Sequence, residues 1–100
     1  MEIFRSETST RDGTEVTSIR ADLKADGGLL VHGQDLGPSV EKIFGDIDYE
    51  YWLDIDEASI PQLFILVLKE AFNSDGALTL ERLRDIARSG GINVKFGNWI

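Results

Sequence analysis

The clearest alternation of polarity lies at residues 49–55. Tyr49, Tyr51, Leu53 and Ile55 fall on one side of an extended chain, with Asp48, Glu50, Trp52, Asp54 and Asp56 on the other. A period of two marks a strand with one covered face and one wet face. Residues 16–25 alternate in the same way, with Ile19, Ala21, Leu23 and Ala25 opposing Arg20, Asp22 and Lys24. Asp26-Gly27-Gly28 follows. Asp-Gly between alternating runs predicts a hairpin with a type I′ turn, returning along residues 29–35. Gly33 within that return predicts a bulge or an early end. Ile3 and Phe4 start a first strand at residues 2–6, and the polar stretch 7–14, with Asp12-Gly13, reads as a loop.

The period then lengthens. Ser39 is placed to cap a short helix at residues 39–44, helped by Gln34 and Asp35 and stopped by Gly45. Ser59-Ile60-Pro61-Gln62 has capping-box spacing with proline in the first turn, which predicts a helix over residues 60–72. Its run LFILVL is apolar nearly all round and so should be largely buried. Thr79 caps a second helix over residues 80–88, with Leu80, Leu83, Ile86 and Ala87 along one stripe and Gly90-Gly91 at its end. Ile92, Val94 and Phe96 alternate as a last strand leading to Ile100. The elements predict an α+β fold in the order β-β-β-β-α-α-β. That is an antiparallel sheet of about four strands with two helices packed on one face, in a single domain over residues 1–100.

Composition narrows the function. No cysteine is present among the 100 residues, which removes disulfides, zinc-thiolate sites and cysteine nucleophiles together. No charged-then-apolar leader opens the chain, and its longest apolar run is far short of a bilayer span. The formal net charge of −8 repels phosphate backbones and anionic lipid, so neither nucleic acid nor membrane is an expected partner. The charge is also uneven. Asp35, Glu41, Asp46, Asp48, Glu50, Asp54, Asp56 and Glu57 lie in the middle third, where Lys42 is the sole lysine or arginine.

Each constellation has a plain and a functional reading. Asp46, Asp48, Glu50, Trp52, Asp54 and Asp56 form either a solvated strand face or a docking surface for an arginine- or lysine-rich partner. In the second case the indole offers cation–π contact and the acids steer the approach. Calcium or magnesium needs oxygens that converge, whereas an extended strand holds same-face carboxylates about 7 Å apart, so no metal is expected there. Asn73-Ser74-Asp75-Gly76 fails as an EF-hand because Ala71 and Arg82 occupy the positions that need carboxylates. Asp22-Leu23-Lys24 is too short a pattern to mark a nuclease. His32, the only histidine, has no serine or cysteine partner spaced for a triad, so no catalytic residue and no cofactor are expected. An alternative ligand site comprises His32, Gln34 and Asp35 at the bend after residue 33, with Glu50 as a further candidate.

The segments GQDLG (33–37), FGD (44–46) and YEYW (49–52) together resemble a family of small uncharacterised bacterial proteins of about this length. The likeness covers most of residues 15–72. It implies a bacterial cytoplasmic domain with three strands followed by an apolar helix, and it carries no activity.

Two functional expectations result. The first is a non-catalytic acidic interaction module that binds a basic protein surface; one version is a toxin-neutralising immunity-type protein. The second is a small enzyme or ligand-binding domain built around the GQD bend.

Overall fold

The computed structural model describes residues 1–99. The chain divides into two compact units, Met1–Pro61 and Gln62–Ile100. Four strands, β1 (Glu2–Thr10), β2 (Gly13–Leu23), β3 (Leu29–Leu36) and β4 (Asp48–Ile55), form one antiparallel sheet in the order β1-β2-β3-β4. The helices are α1 (Pro38–Phe44), α2 (Ile60–Phe72) and α3 (Leu80–Ser89). The fold class is α+β.

The sheet extends further than the hydrophobic pattern indicates. Residues 7–14 are not a loop: β1 continues to Thr10 and turns back through Arg11-Asp12, with Thr10 opposite Gly13. Three threonines at positions 8, 10 and 14 favour extended backbone although they are polar, and both faces there are wet. The second turn is a three-residue loop rather than type I′. Lys24 and Gly28 close it (Lys24 N–H to Gly28 O, 2.8 Å), and Gly27 alone takes the left-handed conformation, at φ 87°. The Asp26 carboxylate accepts the Gly28 N–H at 2.9 Å, which lowers its pKa and fixes the bend.

Gly33 makes neither a bulge nor an end. The pairings of β3 with β2 and with β4 run unbroken through it. It is a notch instead: a Cβ there would lie 2.1 Å from Tyr51 Cε2, so the Tyr51 ring rests directly on the bare backbone.

The α1 cap also differs from expectation. Ser39, Gln34 and Asp35 do not cap it; the Glu15 carboxylate of β2 accepts the Ser39 N–H at 2.9 Å. Pro38 occupies the first turn and Gly45 ends the helix in the left-handed region. Phe44 then stacks on Tyr49 with ring centroids 4.3 Å apart, tying α1 to the start of β4.

In the second unit α3 has the expected cap, Thr79 Oγ1 accepting the Arg82 N–H at 3.0 Å. It closes with a Schellman motif: Ile92 N–H bonds Ala87 O, Gly91 N–H bonds Arg88 O, and Gly91 has φ 77°. The α2 run is not largely buried, and no residue of the helix is fully buried. Leu63, Leu68 and Ala71 are half-buried, whereas Phe64, Ile65, Leu66 and Val67 are exposed. The expected strand at residues 92–96 is absent, because alternation yields a strand only where a ladder partner exists. Phe96 faces α3 instead, with the Arg84 guanidinium 5.5 Å from its ring centroid. Ile100, the end of that segment, lies outside the described residues.

Candidate functional site

Pairing register sorts the side chains of the sheet onto two faces, since residues directly opposite share a face. One face is mainly apolar: Ile19, Val31, Tyr51 and Leu53 surround the Gly33 notch and line a hollow of about 340 Å³. At one end of this face Asp35 Oδ1 accepts bonds from the Thr17 hydroxyl (2.9 Å) and the Tyr51 hydroxyl (3.2 Å). Loss of solvent first, and the bond to Asp35 second, raise the Tyr51 pKa above its usual value.

The opposite face carries the β4 carboxylates. Across the sheet, Arg20, His32 and Trp52 form one row; Ser18, Gln34 and Glu50 form the next; Asp22, Leu30 and Asp54 form another. Asp48, Glu50, Trp52 and Asp54 thus lie along one exposed side of β4, with Trp52 64% exposed. Asp46 and Asp56 fall outside this line: β4 begins at Asp48 and ends at Ile55, and Asp56 accepts the Ser59 hydroxyl at 2.9 Å.

Two of the carboxylates are joined by an amide. Gln34 Nε2 donates to Asp48 Oδ1 at 3.1 Å and to Glu50 Oε1 at 3.4 Å. Asp54 is partly compensated by Lys24, whose ammonium donates to it at 2.8 Å and also lies 3.5 Å from Asp26. The bond to Asp54 is the main cause of a raised Lys24 pKa. Among the described residues no group of three histidine, aspartate or glutamate side chains is gathered to hold a metal.

The alternative ligand site is split. His32 and Gln34 share the acidic face with Glu50, whereas Asp35, one residue further, points to the apolar face. A wider hollow of about 730 Å³ lies between the Asp12-Gly13-Thr14 turn and α1. It is lined by Leu36, Gly37 and Pro38 but not by His32, Gln34 or Asp35.

Sequence reasoning missed Lys24 and Gln34 as members of the acidic face. Their roles follow from pairing across 30 and 14 to 16 residues of chain, which the period of a single strand does not reveal. Once β2, β3 and β4 are set side by side, the register supplies both. No family model, curated protein or solved structure matches this chain. Among the described residues no helix is long and apolar enough to cross a membrane.

Proposed function

We propose that the acidic side of β4 is a non-catalytic docking surface for a basic protein partner. The observation that carries this reading is the line of Asp48, Glu50, Trp52 and Asp54 along an exposed strand. Carboxylates in such a row raise the local concentration of a cationic partner and speed encounter, and an exposed indole between them offers an arginine or lysine head its π face. Gln34 supports the reading by holding Asp48 and Glu50 in place, which reduces the ordering cost of binding. Asp46 and Asp56 extend the field beyond both ends of the strand. The specific version is an immunity-type protein of a bacterial cytoplasm that covers the basic surface of a toxin; it rests on charge and size alone.

The test is affinity capture from the native host with the wild-type protein and with a Glu50→Lys/Asp54→Lys variant. Circular dichroism checks that the variant is folded. The expected outcome is a basic protein recovered by the wild type and lost by the variant. Equal recovery by both rejects the docking surface.

A further inference from the structure

The two edges of the sheet are not alike. β1 is interrupted, its register against β2 shifting between Glu2 and Phe4. That irregularity disturbs the edge at its first residues, while Phe4 to Thr10 pair in order with β2. β4 has no interruption: all eight of its residues pair in order with β3, from Leu36 opposite Asp48 to Leu29 opposite Ile55. It contains no proline and no glycine. A regular edge strand presents every second N–H and C=O outward, a template roughly 27 Å long for another extended chain.

The side chains that flank this template define what fits it. On one side a guest strand meets Asp48, Glu50, Trp52 and Asp54; on the other it meets Tyr49, Tyr51 and Leu53, of which Leu53 is 66% exposed. A second copy of this chain does not match. Pairing β4 with β4 sets carboxylates against carboxylates, and the β1 edge brings Glu2 and Glu7 with one arginine, Arg5. A strand alternating basic and apolar residues matches both sides, its cations opposite the acids and Trp52 and its apolar residues beside Leu53.

We infer that the basic partner docks by adding an extended segment, alternating arginine or lysine with apolar residues, as a further antiparallel strand on β4, in keeping with the antiparallel pairing throughout the sheet. This deepens the docking reading above and rests on it. Backbone bonds along the edge supply affinity and the two flanks supply the choice of sequence. It also accounts for the acids as more than a guard: they exclude self-pairing and select a cationic guest.

The experiment uses the full chain and three synthetic peptides of about nine residues alternating Arg and Val. One is unmodified, one is N-methylated on the Arg amides and one on the Val amides. Either set of amides, but not both, faces β4 in an added strand. Titration calorimetry should show the unmodified peptide binding, one methylated peptide weakened about tenfold or more, and the other within about threefold. Hydrogen exchange should slow at alternate amides of β4 in the complex. Equal binding of all three peptides overturns the added strand while leaving docking by charge intact. No binding by any of them overturns both.

Discussion

The two edge strands of the sheet use charge in opposite ways. On β1 the one cation is shared out within the strand: Arg5 lies 2.7 Å from Glu7 and 3.7 Å from Glu2. On β4 no cation is built into the strand; Lys24 reaches Asp54 from the neighbouring turn, and Asp48 and Glu50 have only an amide between them. An exposed ion pair inside one strand contributes little to stability and leaves little field outside. Carboxylates left without a cation project their field into solvent. Edge strands of similar length thus differ in whether their charge is spent internally or offered outward.

The largest expected effect bears on how β4 is seated. Gly33→Ala forces a methyl into the space of the Tyr51 ring and should cost about 1–3 kcal/mol in urea unfolding. Removing the ring should relieve that cost: in a double-mutant cycle, Gly33→Ala in a Tyr51→Ala background should be near neutral. On β1 no side chain is held this way, and Thr8→Ala should stay within about 0.5 kcal/mol. A full cost for Gly33→Ala without the Tyr51 ring would show that the notch is not what seats β4.

Charge reversal separates the two edges directly. Glu50→Lys with Asp54→Lys should weaken binding of an arginine-rich peptide by about tenfold, a loss of about 1.4 kcal/mol. Glu2→Lys with Glu7→Lys changes net charge by the same amount and should weaken it far less. Equal losses, measured by calorimetry at one ionic strength, would mean that overall charge rather than the β4 row attracts the peptide. Trp52→Ala should give a smaller loss, about three- to fivefold, the scale of one exposed cation–π contact.

The smallest effects are protonation effects. Ser39, through its side-chain hydroxyl first and its N–H second, holds the Glu15 carboxyl below the ordinary 4.5. A carboxyl with a depressed folded-state pKa adds stability above its unfolded value, and that stability disappears as pH falls through the folded value. Acid unfolding of Glu15→Gln should therefore lack part of the wild-type loss below pH 4.5. At the other extreme, Tyr51 should ionise above the ordinary 10.0 in absorbance titration. Asp35→Asn should bring it partly back, leaving the larger contribution of burial.

The legible parts of the fold were those where a local pattern and its structural cause lie in the same few residues. Tyr49 to Ile55 alternate because one strand has two faces, Ile60 to Phe72 match a proline-led helix, and Thr79 caps α3 through its own hydroxyl. The misread parts depend on remote groups. Residues 7–10 are polar yet extended because β2 lies beside them, and α1 is capped by Glu15, 24 residues before the amide it accepts. Residues 92–96 have the alternation of a strand but no ladder to join. The acidic row was readable from the sequence; that Gln34 bridges it, that Lys24 reaches it and that it stands on an edge became visible only once the register was known.

The Gly33 notch has a consequence for how the sheet assembles. A slip of β3 against β4 by one residue would bring His32 or Gln34, each with a full side chain, beneath the Tyr51 ring. Only one alignment leaves that ring an empty seat. The notch therefore works like the cut in a key, rejecting misaligned pairings as the strands meet and fixing where the carboxylate row stands along the rim of the sheet.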